Sequence, residues 1–82
     1  MYIFNYVVEP VNDTTAALTV YEISGKNAPL FAELIIPLIS DVEAEIYLYL
    51  NDNNLNNNFK INHYQDYRLE HPKVQEFISA NK

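Results

Sequence analysis

Apolar side chains run almost unbroken from Tyr2 to Val8, with only Asn5 intervening. The run is rich in β-branched and aromatic residues, and it predicts a strand. Glu9 to Thr14 carries turn chemistry, with Pro10 fixing φ and Asn12-Asp13 offering side-chain-capped turns. Ala16 to Ile23 then sets Leu18 and Val20 against Thr19 and Tyr21, the alternation of a second strand. Ser24-Gly25-Lys26-Asn27 holds the only glycine and ends it.

The next two segments each fit two periods. Over 28–36, Asn27 is placed to cap a helix and Pro29 to sit in its first turn. Leu30, Phe31, Leu34, Ile35 and Leu38 would then form one stripe. The same run also alternates, and its isoleucine pair favours a strand. From Asp41 to Leu50, Ser40-Asp41-Val42-Glu43 matches a capping box. Yet Val42, Ala44, Ile46, Leu48 and Leu50 alternate with Glu43, Glu45, Tyr47 and Tyr49, which predicts a strand. Asn51 to Asn58, nearly all asparagine, reads as a polar low-complexity loop that cannot pack. Phe59 to Tyr64 reads as a weaker strand. His71 to Ala80 reads as a helix, with Val74, Phe77 and Ile78 on one face and His71 at the N-cap.

An internal echo arbitrates. At an offset of 43 residues Ile3 falls on Ile46, Tyr6 on Tyr49, Tyr21 on Tyr64, Pro29 on Pro72, Glu33 on Glu76 and Ile35 on Ile78. A repeat decides architecture where it is real. This one assigns 28–36 to a helix by analogy with 71–80. The expected fold is α+β, one domain over 1–82 with pseudo-repeat halves 1–40 and 41–82. Two helices would cover one face of a small single-layer antiparallel sheet in the order ββα-ββα. A five-stranded antiparallel meander with one C-terminal helix is the alternative. In the repeat's register Ile3, Val7, Leu18, Val20, Ile46, Leu48, Leu50 and Ile61 face the helices. Phe4, Tyr6, Thr19, Tyr21, Tyr47, Tyr49, Asn62 and Tyr64 then face outward.

Length and charge narrow the functions. A chain of 82 residues buries only about 60–65% of its unfolded surface, so burial against another molecule is a natural supplement. With no cysteine there is neither a disulfide staple nor a thiolate metal site. The N-terminus lacks the basic region and cleavage site of a signal peptide. The longest apolar stretch, Leu30 to Ile39, contains Glu33 and Pro37 and is too short to span a bilayer. A cytoplasmic location is expected, in the host cytoplasm if a phage encodes the chain. Residues 1–59 hold eight carboxylates against Lys26 alone, within a net charge of −6. Phosphate-backbone and anionic-lipid binding need clustered cations, so neither direct nucleic-acid binding nor membrane binding is expected.

No catalytic, cofactor or metal site is expected. His63, Asp66, Glu70 and His71 lie close in sequence but match no ligand or acid–base spacing. A single glycine cannot build a phosphate loop, and Ser24, Ser40 and Ser79 lack a supporting His/Asp pair. Tyrosine and acid are what this surface offers, and tyrosine is enriched at binding hot spots. The expected activity is that of a small acidic protein-binding module occluding a larger, basic or nucleic-acid-acting protein. Its contacts are expected at Glu43, Glu45, Tyr47, Tyr49 and Asp52, with Tyr6, Tyr21 and Tyr64 on the open sheet. Phage-encoded anti-CRISPR and anti-restriction inhibitors and bacterial immunity proteins share this size, acidity and lack of cysteine; the comparison is one of class, since no family motif is present. The alternative is a structural homo-oligomer, a homodimer for instance, that buries its aromatic face against itself.

Overall fold

The computed structural model describes residues 1–25 and 29–81. It is an α+β fold with a four-stranded sheet and two α-helices. Strands β1 (Tyr2–Pro10), β2 (Thr15–Glu22) and β3 (Leu30–Pro37) precede helix α1 (Val42–Asp52). Strand β4 (Phe59–Asp66), a one-turn 3₁₀ helix (Tyr67–Glu70) and helix α2 (Pro72–Ala80) follow. The strand order is β3-β2-β1-β4.

The β1–β2 turn forms as its sequence predicts. The Asn12 Oδ1 accepts from the backbone N–H groups of Thr14 and Thr15 at 2.9 and 2.8 Å, and from both threonine hydroxyls. That hairpin sets β1 antiparallel to β2, and β2 is antiparallel to β3. β4 is parallel to β1, so the sheet is mixed where an antiparallel one was expected. The reason is connectivity. β4 is reached from β3 through α1, and a helix crossover returns the chain in the direction it left.

Two element assignments are reversed, and the repeat falls with them. Residues 30–37 form a strand and 42–52 a helix. The 43-residue offset therefore lays β1 on α1 and β3 on α2, so apart from Tyr21 and Tyr64, which both lie in strands, its identities relate unlike elements. The expected Asn27 helix cap lies outside the described residues.

The α1 segment is helical because its ends are specified. The Asp41 Oδ1 accepts from the N–H groups of Glu43 and Ala44 at 3.0 and 3.3 Å, capping the N-terminus. At the other end Asn54 adopts φ 56°. The Leu55 N–H donates to the Leu50 carbonyl and the Asn54 N–H to the Asn51 carbonyl, a Schellman closure. Asparagine tolerates that left-handed backbone better than other non-glycine residues. The asparagine-rich segment is therefore built rather than unstructured. Asn53 Nδ2 also donates to the Tyr49 carbonyl, and the Asn58 carbonyl accepts from Tyr2 N–H to start the β1–β4 ladder.

Antiparallel partners share a face, and the pairs Tyr6↔Val20 and Val8↔Leu18 put Tyr6 and Val8 beside the inward residues of β2. The register expected for β1 is thus one residue out. Phe4, Tyr6 and Val8 point into the core with Ala16, Leu18, Val20 and Ile36, while Ile3 and Val7 face the other way. Helix α1 covers this core with Val42, Ile46 and Leu50, spaced four apart on one side. The rings of Tyr2, Phe31 and Phe59 surround Phe4 at the core's margin, Tyr2 stacked on it and the other two tilted, with Phe31 meeting Tyr49 edge-on at 6.2 Å. Helix α2 reaches the same core through Val74 alone. Among the described residues no helix is long and apolar enough to cross a membrane.

Candidate protein-binding face

With Val42, Ile46 and Leu50 turned inward, the helical period directs Ala44, Tyr47, Leu48 and Asn51 outward. Tyr47 and Leu48 are about half exposed, at 48% and 51%. Glu43 flanks this ridge on one side, and Glu45 and Asp52 flank it on the other. Asp41 stands at its N-terminal end. Among the described residues the ion pairs are Arg68–Asp66, Lys73–Glu76 and, when the imidazole is protonated, His71–Asp13, and none involves α1. The ridge is thus an aromatic and an aliphatic side chain framed by carboxylates that pair with no described cation.

Its position is fixed from below by Arg68. The guanidinium donates to both carboxylate oxygens of Asp66, with Nε–Oδ1 at 3.0 Å and Nη2–Oδ2 at 2.8 Å. Nη1 donates to the carbonyls of Leu38 and Ser40 at 3.0 Å each. Those carbonyls belong to the segment entering α1, so one nearly buried side chain pins the end of β4 to the start of the helix. Burial alone would raise the Asp66 pKa, but hydrogen bonds and charge from Arg68 outweigh it and hold the carboxyl below its usual value. Hydrogen bonding to Asp66 likewise raises the Arg68 pKa against the effect of burial. Tyr6 lies nearby, stacked on Tyr64 with ring centroids 5.1 Å apart. Burial first, and the Asp66 charge second, push the Tyr6 hydroxyl up to about 12.

The residues expected to form one binding surface are divided among several. Glu43, Glu45, Tyr47 and Asp52 lie together on α1, and they do so as a helix surface rather than a sheet edge. Tyr49 is half-buried against Phe31. Tyr6 is core, 7% exposed, and Tyr64 is exposed beside it on edge strand β4. Tyr21 pairs with Asn5 on the opposite, helix-free face of the sheet. That face carries Ile3, Val7, Ala17 and Ile35 near Asn5, Asn62 and His63. Phe4 and Tyr6 are absent from it, so an aromatic sheet face is not assembled.

The sequence reading missed two participants. Leu48 was assigned inward because a strand period was imposed on a helix. Arg68 carried a signal two residues upstream, since Asp66 caps the 3₁₀ turn by accepting the Arg68 N–H at 3.0 Å. The histidines have structural partners. The His71 Nδ1 accepts the Lys73 N–H to cap α2, as the sequence predicts, and its Nε2 lies 3.4 Å from Asp13. His63 pairs with Asn5 in the β1–β4 ladder. Among the described residues no three His, Cys, Asp or Glu side chains converge as a metal site would require. Comparison with protein-family models, curated proteins and solved structures gave no match.

Proposed function

We propose that this chain is a small acidic protein-binding module that occludes a basic surface of a larger, nucleic-acid-acting protein through the outer face of α1. The observation that supports the reading is the ridge of Tyr47 and Leu48 bordered by Glu43, Glu45 and Asp52. A half-exposed aromatic offers a desolvating anchor, and surrounding charge of one sign steers a basic partner and excludes acidic ones. Asp52 strengthens the case. It occupies the last turn of α1, where the helix dipole disfavours an anion and no basic residue compensates it. In its narrower form the module is an enzyme inhibitor of the class to which phage-encoded anti-CRISPR and anti-restriction proteins belong.

The test uses the whole chain as bait in a lysate of the source organism, with Glu43→Lys/Glu45→Lys as its counterpart. The expected bound set is enriched in basic nucleic-acid-acting proteins and is released as salt rises from about 0.15 M to 0.5 M. It is lost from the double variant. Equal capture by that variant, or a bound set no more basic than the lysate, refutes the reading.

A further inference from the structure

Among the described residues the sheet ends in two unpaired edges, β3 and β4, and they are built differently. β4 carries Lys60 and His63 and a register shift beside Asn62. Charge and irregularity of this kind guard an edge against further pairing. β3 has no such protection in its middle. Its eight residues, Leu-Phe-Ala-Glu-Leu-Ile-Ile-Pro, contain the single charge Glu33, and its only register shift lies at the end near Phe31. Leu30 and Ile35 are 54% and 71% exposed.

The phase of the ladder shows what this edge presents. The Leu38 N–H donates to the Thr14 carbonyl at 2.9 Å, so even-numbered residues of β3 bond to β2. Glu33 and Ile35 therefore direct both N–H and C=O away from the sheet. Pro37 falls in the same outward phase, where its missing N–H removes nothing from the β2–β3 ladder.

We propose that this edge is a self-association surface, at which β3 of a second copy pairs antiparallel about a two-fold axis at Leu34 and joins both sheets into one. The occupant follows from the order of residues along the strand. With the axis at Leu34, Glu33 meets the partner's Ile35 and exchanges both backbone hydrogen bonds, and symmetry repeats the exchange. Leu34 then meets the partner's Leu34 at the close, non-hydrogen-bonded position, and Ala32 meets the partner's Ile36 on the same face. Neighbouring registers are worse. An axis at Glu33 opposes two carboxylates. An axis at Ile35 sets Glu33 against Pro37, which cannot donate, inside the ladder, whereas the Leu34 axis moves Pro37 out to the strand end, opposite Phe31 at the register shift. The segment is thus complementary to itself in one register, as a two-fold interface requires. The surface is separate from the α1 ridge and responds oppositely to salt. Two copies of net charge −6 repel, so screening favours the pair while it weakens binding to a basic protein.

The experiment uses the cysteine-free background. Sedimentation of the full chain at about 100 μM is expected to show a dimer whose population rises with salt. Ile35→Pro removes an outward N–H without touching a β2–β3 bond, and is expected to leave a folded monomer by circular dichroism. Leu34→Cys is expected to form an intermolecular disulfide readily, because facing residues at the close position approach to disulfide range. Ala44→Cys on α1 is the control and is expected to cross-link at least about tenfold more slowly. A chain that stays monomeric at every salt concentration overturns the proposal. So does a dimer that survives Ile35→Pro, or equal cross-linking at the two cysteines. Capture of a foreign strand peptide by a monomeric chain also overturns it.

Discussion

Tyr6 shows at residue scale how one side chain links core, charge and pH. Its ring belongs to the buried face of β1, and its hydroxyl titrates near 12 because burial and the nearby Asp66 disfavour the phenolate. The folded pKa lies above the ordinary tyrosine value of 10.0. The stability linked to Tyr6 is therefore complete below pH 10 and is lost as pH rises towards 12. Tyr6→Phe keeps the ring and removes the titration. Denaturant unfolding of wild type should show a stability loss between pH 10 and 12 that is clearly smaller in Tyr6→Phe. Identical alkaline profiles would show that Tyr6 does not carry the effect. Asp66 has the opposite sign, since its depressed pKa supplies stability above the usual carboxylate value that is lost in acid.

Helix α1 carries the central prediction at element scale, because its stability and its proposed use pull apart. Asp41 satisfies the first turn and Glu43 and Glu45 favour the positive end of the dipole, whereas Asp52 opposes the negative end. Asp52→Lys should raise stability by about 0.5 kcal/mol, read as a higher urea midpoint, while it weakens salt-sensitive partner binding. A variant that is stabilised and binds unchanged would exclude Asp52 from the interface. Legibility at this scale depended on whether period and end signals agreed. β1, β2, β4 and α2 were readable because both pointed one way. In α1, five apolar residues alternate and three of them also fall four apart, so period alone could not decide. The decisive signals were Asp41 ahead of Val42 and the asparagines after Asp52, which close the helix at Asn54. In β3 the Ser24-Gly25 break ahead of it in the sequence and the terminal Pro37 suited a hairpin partner of β2. An overlay of unlike elements overrode them. Four of the expected contacts nonetheless came together, because Glu43, Glu45, Tyr47 and Asp52 stay close on either backbone. The tyrosines scattered, since each depended on the β1 register or on the fold of 42–50. Arg68 was only half legible, since Asp66 two residues upstream marks its local cap but nothing local marks its distant bonds. Its carbonyl partners, Leu38 and Ser40, lie about thirty residues away, and no local pattern announces a bond of that separation.

The whole molecule is a sheet whose stability should fall from the centre outwards. β1 and β2 are the inner strands, and their inward residues Phe4, Val8, Leu18 and Val20 are at most 1% exposed. β4 joins in parallel at an edge, with a register shift, after a long crossover. Helix α2 adds Val74 to the core and leaves Phe77 and Ile78 exposed at 46% and 39%. A segment that buries so little apolar surface opens without the rest of the chain. Native-state hydrogen exchange should therefore show amides of Phe4 to Val8 and Ala16 to Val20 exchanging only through global unfolding. Amides of α2 should exchange through a separate opening at least about tenfold faster, with a weak dependence on denaturant. The two classes should converge as denaturant approaches the unfolding midpoint. Exchange from α2 as slow as from β1, with the same denaturant slope, would mean that the C-terminal helix is part of one cooperative unit and that Val74 and the Arg68 clasp hold it more firmly than its buried surface implies.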